Sequence, residues 1–145
     1  MFKKLYQFTL VAILLAFTIF ASGCDEFCGG TSEEPVIEIA YQAGGNVTSV
    51  YAVKDGVELP PIEGASGTFF NIPVDINGSS VTYNFVTTQG NHTMQIFYDP
   101  VSELQSFECG FRFSIENLRL GSTTFTGAII SGGPNSFINY LITIQ

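Results

Sequence analysis

Val36-Ile37-Glu38-Ile39-Ala40-Tyr41, the turn Ala43-Gly44-Gly45-Asn46 and the run Val47 to Val53 form the stretch where the chain takes up a period of two. In the second run Val47, Ser49, Tyr51 and Val53 alternate against Thr48, Val50 and Ala52. Successive side chains of an extended chain point to opposite faces, so this alternation marks strands with one buried and one wet face. The pattern then continues to the C-terminus. Lys54-Asp55-Gly56 turns the second strand, and Val57 to Leu59 is at best a short edge strand because Pro60-Pro61 and Gly64-Ala65-Ser66-Gly67 follow it. Thr68 to Asp75 is extended, with Pro73 confining it to an edge or a strand end. Asn77-Gly78, the strongest hairpin signal, predicts a type I′ turn into Ser80 to Thr88.

Further on, Gln89-Gly90-Asn91 turns into His92 to Tyr98, Asp99-Pro100 stops that strand, and Val101 to Gln105 reads as a loop or a single helical turn. Phe107 to Leu120 is the longest candidate strand, with Phe111, Phe113 and Ile115 on its inner face and Arg112, Ser114 and Glu116 opposite. Thr123 to Ile130 runs extended. Phe137 to Ile144 closes the chain with Ile138, Tyr140, Ile142 and Ile144 on one face. Seven to nine short strands, no long helix and turn signals about every 8–12 residues predict an all-β fold, an antiparallel, immunoglobulin-like β-sandwich over residues 35–145.

Upstream of the strands the chain reads as an export signal. Lys3 and Lys4 give a positive start, Phe8 to Phe20 is an apolar run shorter than the ~20 residues a spanning helix needs, and small residues Ala21-Ser22-Gly23 precede Cys24. Residues 1–23 are therefore the expected lipoprotein signal peptide and 24–34 a short tether. Cleavage after Gly23 frees the amine of Cys24 for acylation with a fatty acid such as palmitate, while its thiol takes a diacylglyceryl group. Lipoprotein signals usually carry an aliphatic residue where Ala21 stands, and Ala-Ser-Gly also suits an ordinary signal peptidase. An unlipidated secreted protein is thus the competing reading.

Of the 145 residues, 122 remain after residue 23, enough for one domain with one core. All thirteen acids and only three cations, Lys54, Arg112 and Arg119, fall in that part, leaving a net charge of −10. Nucleic acid and anionic head groups would be repelled by such a surface. Mean hydropathy is positive at +0.30, but the excess is concentrated in the signal.

Residues that carry chemistry are few. His92 is the only histidine, and it sits at a turn-to-strand junction, where an exposed polar residue is the expectation and catalysis ranks well below it. Two further cysteines and one histidine without ligand spacing point to no metal or other cofactor. Asp55, Glu58, Asp75 and Asp99 stand singly at turns and outward positions, where solvation is sufficient reason for them, so paired-carboxylate hydrolysis ranks low. No catalytic residue is expected. The aromatics are more informative: ten phenylalanines and five tyrosines remain after the signal, and of the adjacent Phe69-Phe70 one must face outward. An outward Phe suits a partner interface or a sugar-stacking patch, or covers an edge of the core.

Cys24-Asp25-Glu26-Phe27-Cys28, Pro35 leading into an apolar strand, Phe107-Glu108-Cys109-Gly110-Phe111-Arg112-Phe113 and Ile115-Glu116-Asn117-Leu118 together give a likeness. In these the chain resembles a family of small uncharacterised lipoproteins, a domain of unknown function, from Gram-negative bacteria of the Bacteroidota group. The resemblance implies an outer-membrane cell-envelope protein, facing periplasm or cell surface, and a pairing of Cys28 with Cys109; it implies no reaction. Elimination leads to the same pair, since a thioether on Cys24 leaves only Cys28 and Cys109 for a disulfide in an oxidising compartment. Two separate thiols are the alternative. The expected function is a non-catalytic binding or assembly module, attached to the membrane through Cys24, with an envelope protein or glycan as partner. A small barrel-like carrier of an apolar ligand is the alternative, and a hydrolase ranks third.

Overall fold

The computed structural model describes residues 34–106, 110–133 and 140–145. By contact the chain divides into two units: Glu33–Glu103 with Arg112–Gln145 carries the two sheets, and the other takes in Leu104–Phe111. There are nine strands, β1 Val36–Tyr41, β2 Val47–Lys54, β3 Val57–Pro61, β4 Phe69–Pro73, β5 Ser80–Thr87, β6 Gly90–Ser106, β7 Gly110–Thr123, β8 Ala128–Ser131 and β9 Leu141–Ile144, and no helix among the described residues. They form a four-stranded sheet, β4-β1-β9-β8, and a five-stranded sheet, β3-β2-β5-β6-β7.

The inner faces meet in one core, as a sandwich-like fold requires. Ile37, Ile39, Ile72, Ile142 and Ile144 come from the first sheet, and Val47, Val50, Tyr83, Phe85, Met94, Ile96 and Tyr98 from the second; each is essentially inaccessible to solvent. Tyr83 and Tyr98 bring hydroxyls into that core, and both are satisfied. Tyr83 Oη donates to Pro73 O at 2.5 Å and Tyr98 Oη to Asp75 O at 2.8 Å, so both hold the segment that crosses from β4 to β5.

That crossing corrects the hairpin expected at Asn77-Gly78. β4 pairs with β1 and β5 with β2 and β6, so the two strands lie in different sheets. The backbone is not type I′, since neither Asn77 nor Gly78 has positive φ. Instead Asp75 opens an ordinary turn, its carbonyl accepting from Gly78 N–H at 3.1 Å and its Oδ1 from Asn77 N–H at 2.9 Å. The turn at Ala43–Asn46 likewise carries the chain from one sheet to the other rather than closing a hairpin.

Four further expectations change. β1 and β9 run parallel, so the sandwich is not wholly antiparallel. A register shift between Val47 and Ser49 puts Val47 and Val50 on the same buried side, which breaks the simple alternation in β2. β6 passes straight through Asp99-Pro100 and Val101–Gln105 and, at 17 residues, is the longest strand. Pro100 lies beyond Phe97, the last residue paired to β5, where one side of β6 has no ladder to lose. In β7 Ile115 is buried but Phe113 only half so, and Phe111 is 55% exposed, against the inner face expected for all three. Beyond Asn117, whose φ is +50°, burial changes parity to Leu118. β3 with its two prolines is an edge strand, as its composition predicts.

Candidate functional site

The outer face of the four-stranded sheet is built by strict alternation against the buried isoleucines. Register places Phe69 of β4 opposite Ala40 of β1, Ala40 beside Thr143 of β9, and Thr143 opposite Ile129 of β8. One row thus crosses all four strands. Its ends are exposed apolar side chains, Phe69 at 61% and Ile129 at 54%, and its middle is small. At ~4.8 Å per strand the ends stand about 14 Å apart, a shallow trough with an apolar wall on each edge strand. Phe70, the neighbour of Phe69, is buried in the core, so the outward member of the pair is Phe69.

The adjoining row is Asn71, Glu38, Leu141 and Ser131. Glu38 is half-buried on a central strand and makes no ion pair or side-chain hydrogen bond with a described residue. No strand of this sheet contains Lys or Arg. The outer face of the five-stranded sheet is mixed: Thr82, Asn84, Thr93, Gln95 and Thr123 present hydroxyls and amides, with the exposed Phe97 beside Gln95 and with Tyr51 and Val53 opposite Asn84 and Thr82.

Clefts among the described residues lie elsewhere. One of about 600 Å³ is lined by the end of β2, Leu59, Pro73–Gly78 and Ser80–Tyr83. Across it Lys54 Nζ reaches Asp75 Oδ2 at 3.0 Å. The Asn77 backbone N–H and then the Lys54 ammonium hold the Asp75 carboxyl below its usual range, and Asp75 in turn raises Lys54. The second, about 410 Å³, is lined by Tyr41, Gln89, His92, Phe125 and Gln145 among others. Here the His92 ring stacks on Phe125 with centroids 4.5 Å apart, and its Nδ1 is buried without a hydrogen-bond partner among the described residues. Phe125 meets Phe85 and Tyr41 edge-on, so His92 forms the lid of an aromatic cluster rather than an exposed turn residue.

Three of the four acids expected to be merely solvated have partners. Glu58 Oε2 accepts from Asn84 Nδ2 at 2.7 Å, Asp99 Oδ2 from Asn117 Nδ2 at 2.8 Å, and Asp75 makes the contacts above. No group of three His, Cys, Asp or Glu suited to a metal occurs among the described residues. Cys24, Cys28 and Cys109 lie outside the described residues. Sequence reasoning missed Glu38 because its isolation depends on which strands share its sheet; only its place as the sole charge in Val36–Tyr41 was visible. Comparison with protein-family models, curated proteins and solved structures finds no match for this chain.

Proposed function

We propose that this chain is a lipid-anchored, non-catalytic binding module of the bacterial cell envelope, held at the outer membrane through Cys24 and docking another envelope protein. The observation that carries the docking reading is the row Phe69–Ala40–Thr143–Ile129, which puts two exposed apolar side chains in register on one face. Single exposed apolar residues are ordinary on protein surfaces, but an aligned pair bordering a shallow trough is interface chemistry. Placement rests on the signal and Cys24-Asp25-Glu26, and on the likeness to Bacteroidota lipoproteins. An immunoglobulin-like arrangement belongs to the same proposal, supported by nine strands in sheets of four and five. Cross-strand amide contacts measured by NMR test it, and pairing of β4 with β5 would overturn it.

A photo-crosslinking residue at position 69 or 129 of the full lipoprotein, expressed in its own host, is expected to trap the same protein from either site. The same residue at Thr82, on the other sheet, is expected to trap none. Equal trapping at all three positions, or none at 69 and 129, overturns the docking reading.

A further inference from the structure

From Glu38 we infer that the partner docked on this face presents a basic side chain, Lys or Arg, flanked by apolar residues. The inference rests on the docking reading above and names the chemistry of its partner. Glu38 lies on central strand β1, one row from the trough, with Asn71 on one side and Leu141 on the other. It is half-buried already, its own sheet offers no cation, and Lys54 is engaged with Asp75. Arg112 and Arg119, the other described cations, belong to β7 of the opposite sheet.

A partner that covers Phe69 and Ile129 also covers Glu38, because the two rows are adjacent on one sheet face. Covering a carboxylate with apolar surface strips its water and leaves a buried unpaired charge, which opposes binding. A cation in that position reverses the sign, and an Arg fork adds paired charge-assisted hydrogen bonds. Glu38 therefore selects between partners as well as attracting one: neutral apolar surfaces and a second copy of this acidic chain, which brings its own Glu38, are both disfavoured. The span fits a short recognition segment. About four residues of extended chain, at ~3.4 Å each, reach from Phe69 to Ile129.

The test uses the full lipoprotein in its own envelope, with the crosslinker at position 129. Relative to the parent, Glu38→Gln is expected to lower the yield of adduct about tenfold and Glu38→Lys to abolish it, while Asn71→Ala stays within about twofold. Sequencing of the crosslinked peptide is expected to find Lys or Arg among apolar residues. Reversing that basic residue to Glu is expected to restore adduct with Glu38→Lys alone. Yields unchanged in both Glu38 variants would overturn the cation inference and leave docking on this face intact. An adduct consisting of a second copy of the chain, or a trapped segment without a cation, would overturn it as well. Loss of the parent adduct itself would remove the docking reading too.

Discussion

Tyr83 and Tyr98 are the residues on which the crossing from one sheet to the other depends. Each donates its hydroxyl to a backbone carbonyl of the Pro73–Asp75 segment while its ring fills the core. Tyr83→Phe and Tyr98→Phe keep the rings and are each expected to cost about 1 kcal/mol, more if the abandoned carbonyl stays dry. The same pair gives the fold an alkaline limit. Burial, and then the Asp75 charge, push Tyr98 up to about 12 from an ordinary 10.0, and Tyr83 moves up also, by burial first and then by the Tyr98 and Asp75 charges. Protons are held more tightly in the fold than in the unfolded chain, so this stabilisation is complete below pH 10 and is lost as pH rises from 10 towards 12. Denaturant midpoints measured across that window should fall in the parent and fall less steeply in Tyr98→Phe. Asp75 works in the opposite sense, its contribution being present above pH 3.8 and lost as pH drops through its depressed value.

Among the elements, β7 shows how far period two can be trusted. Alternation correctly identified Ile115 as inward, but it extended the same inner face to Phe111, which is exposed, and to Phe113, which is only half-buried. Alternation holds only while the backbone stays extended, and Asn117, with φ of +50°, shifts the buried positions to Leu118. Ile115→Ala is therefore expected to cost about 2–5 kcal/mol and Phe111→Ala less than about 1. Equal costs in denaturant melts would mean that the inner face of β7 is assigned wrongly. At Asn117 both Gly and Val lose the bond to Asp99, yet only Val also opposes the left-handed backbone. Asn117→Val should be less stable than Asn117→Gly by roughly 1–2 kcal/mol. Proline had a similarly local meaning: it correctly marked β3 as an edge, and it failed to stop β6 because Pro100 falls where that strand has lost its β5 neighbour.

For the molecule as a whole, the proposed anchoring and the proposed docking fall on different parts of the chain. The proposed lipid on Cys24 supplies membrane attachment that an acidic domain of net charge −10 does not, so Cys24→Ser should leave the protein soluble or as an uncleaved precursor. A cleaved, detergent-extractable Ser variant would end the lipid reading. The proposed Cys28–Cys109 disulfide joins positions 81 residues apart, and on the loop-entropy model stabilises the fold by about 4–5 kcal/mol before strain. Peptide mapping of unreduced protein exported by its own host should recover the two as one linked peptide. Two free thiols would dispose of that staple.

By itself the sequence established an all-β chain, the edge character of Val57 to Leu59 and the opposed faces of Phe69 and Phe70, because steric alternation and the missing proline N–H act within a few residues. Its acidity and the pattern that reads as an export signal are equally local properties. Partition of the strands into two sheets was not legible, since turn chemistry reports how a chain bends and not which strand it pairs with next; Asp75-Ile76-Asn77-Gly78 bends equally well into a crossing. The pairing of β1 with β9, about a hundred residues away, arose from burial of Ile37, Ile39, Ile142 and Ile144 in one core. Only that assembly set Phe69 and Ile129 in one row and left Glu38 without a cation, because cross-strand neighbours are chosen by packing over long range.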